Sequence, residues 1–328
     1  MANYKELEGF SVQTLAADPD TPGWVGSIFY NSTSGTFKVV KPGGLPAGTW
    51  ASGENLNTAR SSGALGIVGT QNDAYIYGRY PDGAETENYN GTSWTSNPAS
   101  INTGRGISQG TGTTTAALGF GGENPGGTAA LTESWNGTAW TEVNDLNTAR
   151  FGIAGAGTQG ATLAIAGRNP GRVGNVESWN GTSWTETTDV NTVGASGQAV
   201  GTQTDAIFAT RDTSPSAWIT NVEQWNGSSW TEIADVNTAR SDYGSSGTTS
   251  SAIIFGGNGT PTAKAETEYY DGTSWTEIND MSTARYGVSG TGGSSTSALA
   301  AGGNAPPSNN LTEEWTAPDV VINTLTTS

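Results

Sequence analysis

The chain has 328 residues, no cysteine, no histidine, and a formal net charge of −17 from 30 acidic and 13 basic residues. These absences together exclude disulfides, thiolate and imidazole metal sites, histidine general bases and cysteine nucleophiles. The acidic balance, with no Lys/Arg cluster, removes the counterion-release term that drives phosphate-backbone binding, so nucleic acid is not an expected partner.

Forty-eight glycines and 12 tryptophans, among many Ser, Thr and Asn, favour short strands and tight turns over helices. The chain reads as all-β. Its opening, "MANYKELEGFSVQTLAADPD", has neither the charged start nor the apolar centre of a signal peptide, and no apolar run approaches the roughly 20 residues of a membrane-spanning helix. A soluble product made in the cytoplasm, with no membrane insertion, is expected. "GWVGSIFYNSTSGTFKVV" (23 to 40) predicts a hairpin, two aromatic and β-branched runs joined by "NSTSG". Residues 1–45 form an arm outside the pattern that follows.

From Trp50 onward the chain repeats. Trp50, Trp94, Trp140, Trp184, Trp230 and Trp275 recur at spacings of 44, 46, 44, 46 and 45. A first aromatic precedes the next strand at Tyr89, Trp135, Trp179, Trp225, Tyr270 and Trp315. An arginine follows at Arg60, Arg105, Arg150, Arg240 and Arg285, with Gly194 where one is missing. Each period holds four short strands: a small-residue strand a, an apolar strand b ending in glycine, strand c ending on the first aromatic, and strand d carrying the tryptophan. A period in the forties with four strands predicts a propeller blade. Trp50 lies in a strand d with no a, b or c before it, and Trp315 ends a strand c with no d after it. The expectation is six blades over residues 46–316, closed by "AGTWAS" pairing with "LTEEW", and an extended tail over 317–328. Pairing the ends satisfies strand edges that would otherwise lie open.

Within the period, "NG" between strands c and d fits a two-residue hairpin with positive φ at both turn positions. Asn90, Asn136, Asn180 and Asn226 also match the glycosylation acceptor pattern, but the fifth copy carries Asp271, which suits the turn and cannot be an acceptor. The paired aromatics are read as packing between blades rather than as a sugar-binding row. The repeated arginines and the glutamates two residues before each strand-c aromatic (Glu87, Glu133, Glu177, Glu223, Glu268, Glu313) are read as internal ties. Asp145, Asp189, Asp235 and Asp280 lack the dense alternating oxygens of a Ca²⁺ loop and are read as caps or turns. No metal, cofactor or catalytic residue is expected. The b-to-c connections carry the variation between periods, and recognition usually lives in variable loops on a rigid scaffold. The candidates there are Trp218, which no period requires, and the basic residues Arg79, Arg168, Arg211 and Lys264.

Arg240, Gly256-Gly257, Tyr270 and Trp275 reproduce the blade pattern of the Kelch type of β-propeller, and Gly121-Gly122 and Gly302-Gly303 keep its double glycine. "YGRY" and "AGRN" keep one glycine of the pair and "FATRD" keeps none. The resemblance covers about residues 50 to 315 and implies fold more than activity. The copper oxidases of that fold need histidine ligands and a cysteine-crosslinked tyrosine, which this chain lacks. Sialidase-type propellers need an arginine cluster and Asp-box turns, and no such turn is present. The hairpin over residues 23–40 resembles those of phage tail-fibre and other virion proteins. With the glycine-rich array it looks like propeller proteins encoded by marine tailed phages. That resemblance implies a non-enzymatic virion component of a fibre, tail or head surface. Residues 1–45 would then bind other virion proteins or further copies of the chain, and the propeller would meet a host-surface glycan or protein. A free glycan-binding lectin is the alternative, and a glycoside hydrolase the third reading, although no acid stands out from the repeat.

Overall fold

The computed structural model describes residues 12–19, 24, 26–42, 47–60, 66–106, 109–215, 217–260, 263–305, 309–318 and 320–325. The readings that fall on residues 1–11 and 326–328 lie outside these. The chain divides into two compact units, residues 1–48 with 317–328, and residues 49–316.

The first unit is a four-stranded sheet in the order Gln13–Leu15, Ile28–Asn31, Thr36–Pro42, Val320–Thr324. Its centre is the expected hairpin, with Ile28 opposite Val39 and Asn31 opposite Thr36. Asn31 Oδ1 accepts the N–H groups of Thr33 and Ser34 in the turn, so the side chain supplies the acceptor that a tight reversal needs. On the C-terminal side Val320–Thr324 forms a strand, in which Ile322 pairs antiparallel with Val40. One face carries Tyr30 and Phe37, rings 5.2 Å apart, with Ile28 and Phe37 exposed.

The second unit is built from antiparallel four-stranded meanders, one per period. In the third, Ala154–Thr158, Ala161–Arg168, Arg172–Trp179 and Trp184–Thr187 pair in chain order. Strand b is buried along nearly its whole length, which is why it reads as a continuous apolar run, whereas strand d runs from a buried tryptophan into exposed polar residues. The strand-d fragment Thr49–Ser52 pairs antiparallel with Thr312–Thr316, placing Trp50 opposite Trp315. The two orphan fragments of the sequence therefore share one sheet. Strand Ser289–Ser294 of that sheet meets Gly66–Thr70 through a parallel bridge between Gly292 and Thr70.

The c-to-d connection corrects the expected turn. Trp179 pairs with Trp184, so the loop has four residues, Asn180-Gly-Thr-Ser, and only its glycine has positive φ. Asn180 Oδ1 accepts the N–H groups of Thr182 and Ser183, both at 2.9 Å, and thereby caps the loop. Asp271 makes the same two bonds at 2.8 Å.

The tryptophans pack between neighbouring repeats. Trp50 donates its indole N–H to Thr267 Oγ1 at 3.0 Å and lies edge-on to Phe255, and Trp94 donates to Thr312 Oγ1 at 2.9 Å. Trp184 meets Phe120 and Thr132 in the same way. Strand a of every period lines a shared channel through residues such as Gly110, Gly155 and Ser245. At about 170 Å³ it falls below the range of small-molecule pockets.

Candidate functional site

Each strand-c glutamate is the hub of a buried polar tie. Glu177 accepts the backbone N–H and Nδ2 of Asn147 through one oxygen. Through the other it accepts the N–H of Thr148 and a 2.5 Å bond from Arg150. Arg150 also donates to the carbonyls of Ala164 and Ala166, which pins strand b. Glu87 with Arg60, Glu133 with Arg105, Glu268 with Arg240 and Glu313 with Arg285 repeat the arrangement, every one of these arginines fully buried. Burial pulls the Arg60, Arg150, Arg211 and Arg285 guanidiniums below their ordinary range, and the paired carboxylates oppose the shift.

In the fourth repeat the arginine arrives from strand b. Arg211 is fully buried, bonds Glu223, and donates to the Thr192 carbonyl, as Arg150 does to Thr148. This corrects the expectation that Arg211 is a loop-face binding residue: it fills the slot left by Gly194. Lys264 is likewise 7% exposed, with Nζ bonded to the Thr260 carbonyl and to Glu266, so it too belongs to the interior and offers nothing to a ligand. Arg79 lies at the surface, paired with Glu85 at 3.1 Å.

Arg168 and Trp218 belong to one polar network drawn from three consecutive repeats. Arg168 and Arg172 face each other across the b–c hairpin, and both approach Asp212 Oδ2, at 3.7 and 2.5 Å. Arg168 also donates to Ser196 Oγ at 2.9 Å and lies over the Phe151 ring. Trp218 donates to Ser241 Oγ at 3.1 Å, and Ser241 donates to Asp242 Oδ2 at 3.0 Å. Ser196 and Asp242 both hold left-handed backbone, φ 56° and 53°, where other repeats place Gly152 and Gly287. Their amides form an inter-repeat ladder: Ser196 N–H donates to Gly152 O, Asp242 N–H to Ser196 O and Gly287 N–H to Asp242 O. Burial pushes the Asp242 carboxyl up, with Arg168 and the Ser241 bond opposing.

No family profile matches the chain, and no curated protein matches it. Among solved structures, that of YjhT aligns with a TM-score of 0.64, covering 82% of this chain and 96% of that one at 12% sequence identity. The fold is a β-propeller. At that identity the likeness concerns fold alone.

In the propeller frame, the bridges Gly106–Glu123, Phe151–Arg168, Ala195–Asp212, Ser241–Asn258 and Tyr286–Asn304 put Glu123, Arg168, Asp212, Asn258 and Asn304 at one equivalent position beside the strand-a starts. The position keeps its place and changes its residue, the opposite of the invariant ties below it. Sequence reasoning found Arg168 and Trp218 here and missed Arg172, Asp212, Ser196 and Asp242. A signal was available: the residue two after the repeated arginine is glycine in "RFG" and "RYG" but serine in "GAS" and aspartate in "RSD".

Proposed function

We propose that the chain is a non-enzymatic recognition protein, a six-bladed Kelch-like propeller whose loop face meets its partner and whose first unit attaches it to other virion proteins. One observation carries the recognition part: the repeated arginines, glutamates and tryptophans are spent on internal ties, whereas the Arg168–Arg172–Asp212–Asp242 network stands off the period on a variable position. Six periods and the pairing of Thr49–Ser52 with Thr312–Thr316 support six blades in a ring closed by the N-terminal strand. The arginine, the double glycine and the Tyr/Trp pair support the Kelch type. The virion setting rests on the resemblance of the hairpin, present here as Ile28–Asn31 and Thr36–Pro42.

Mass spectrometry of purified particles tests the setting, with the chain expected among structural proteins; absence from particles removes it. Substituting Arg172 and Asp242 is expected to weaken attachment of the full chain to its target surface without unfolding it. Glycoside turnover that disappears in Asp242→Asn would overturn the non-enzymatic part. A free lectin is the second reading, favoured by the half-buried Trp218 beside the network. Strong binding on a glycan array by the propeller outside any particle, lost in Trp218→Ala, decides for it.

A further inference from the structure

Among the described residues of the 49–316 unit, each basic side chain has its own carboxylate with a single exception. The six buried arginines each hold a strand-c glutamate, Arg79 holds Glu85, and Lys264 holds Glu266. Arg168 and Arg172 share Asp212. In a chain of net charge −17, two guanidiniums thus converge on one carboxylate. The remaining carboxylate facing Arg168 is Asp242, already bonded by Ser241.

The same residues hold unsatisfied polar atoms. Arg168 Nε and Arg172 Nε are buried without a hydrogen-bond partner among the described residues, as is Oδ1 of Asp212, a residue 7% exposed; Arg60, Arg79 and Arg285 each leave their own Nε unpaired in the same way. A buried polar atom left unpaired costs about 1–3 kcal/mol, and three gather in this one network where the internal ties of Arg60 and Arg285 carry one Nε each. The Arg168 and Arg172 side chains keep 25% and 14% of their surface exposed, and two such guanidinium forks suit an oxyanion, because the planar fork matches carboxylate and phosphate geometry. Trp218, joined to the network through Ser241, adds a flat amphipathic ring suited to a saccharide body.

We propose that Arg168 and Arg172 anchor an oxyanion group, carboxylate or phosphate ester, on a saccharide ligand at the loop face, with Trp218 flanking the sugar. The proposal rests on the loop face being the recognition surface. It names what that surface reads.

The test titrates the full chain by calorimetry with tri-galacturonate and glucose 6-phosphate, against maltotriose and glucose as neutral counterparts. Saturable binding of an oxyanion probe is expected, and which of the two binds identifies the source. Arg168→Met and Arg172→Met are each expected to weaken it roughly tenfold or more, the worth of a charged hydrogen bond. Arg79→Met, outside the network, leaves it unchanged. Where a Met variant fails to fold, Arg172→Lys keeps the charge and loses the fork, and a several-fold loss is expected. No saturable binding of either oxyanion probe overturns the proposal, and so do equal binding of the neutral sugars or arginine variants that bind like the parent. If both oxyanion probes fail while Arg172 and Asp242 substitutions still weaken surface attachment, this inference falls and the recognition reading stands; if attachment too is unchanged, both fall.

Discussion

Gly194 and Arg211 have exchanged the residues that other repeats place at their two positions. In the third and fifth repeats an arginine opens the crossover and a glycine stands at the end of strand b or just past it, at Arg150 with Gly167 and Arg240 with Gly257; a Cβ on either glycine would meet the arginine Cδ at 3.5 or 3.3 Å. In the fourth, a Cβ on Gly194 would lie 2.7 Å from Arg211 Cγ and Cδ. The guanidinium reaches its glutamate either way. Arg211→Leu strands Glu223 in the interior and is expected to cost about 3–5 kcal/mol in urea unfolding. Gly194→Arg alone is expected to destabilise by overpacking, while Gly194→Arg combined with Arg211→Gly recovers most of the loss. A double variant no better than the sum of its parts would show that the positions are not interchangeable.

Trp50 tests whether the strand borrowed from the N-terminal side is an equal member of its sheet. Its indole is 9% exposed, against 5% for Trp94, and both donate to a threonine hydroxyl of a neighbouring repeat. Trp50→Ala and Trp94→Ala are each expected to cost about 3–5 kcal/mol, the usual range for a buried large aromatic. A Trp50→Ala cost below about 1 kcal/mol would mean that Thr49–Ser52 is peripheral to stability.

What was legible follows from what repeats. The period, strand order and pairing of the "AGTWAS" strand with the "LTEEW" strand were readable because every copy must bury the same tryptophan against its neighbour. The internal role of Arg150 and Glu177 was readable for the same reason. Arg211 misled, since it sits in a loop-like stretch and its partner in the exchange is a glycine, which announces nothing. Asp212 and Asp242 were hidden because they are brought beside Arg168 only when three repeats are set side by side. The turn was misread because Asn-Gly favours a two-residue reversal locally, whereas the register of Trp179 with Trp184 needs four residues.

Asp271 gives the c-to-d loop a pH dependence that its asparagine counterparts lack. The N–H groups of Ser274 and Thr273 hold its carboxyl below the ordinary carboxylate range. A depressed folded pKa contributes stability that is present above the unfolded value of 3.8 and lost as pH falls through the folded one. Asp271→Asn is therefore expected to match the parent at pH 6 and to lose less stability than the parent between about pH 4 and pH 2. Parallel acid limbs in urea unfolding would refute it.

Asp242 runs the other way. Its left-handed backbone is tolerated by aspartate and asparagine better than by most residues, so Asp242→Asn keeps the conformation and the Ser241 contact while removing the charge. Burial raises its folded pKa above the ordinary 3.8. A raised pKa means that the neutral acid's stability is fully present below the unfolded value and is lost as pH rises through the folded one. Asp242→Asn should therefore equal the parent below about pH 3.5 and exceed it increasingly above, levelling once the parent carboxyl is fully ionised. The gain in stability should come with weaker attachment through the loop face, because the substituted residue stands where Gly152 and Gly287 serve the fold without a side chain. A parent more stable than Asp242→Asn at pH 7, with attachment unchanged, would assign Asp242 to the scaffold instead.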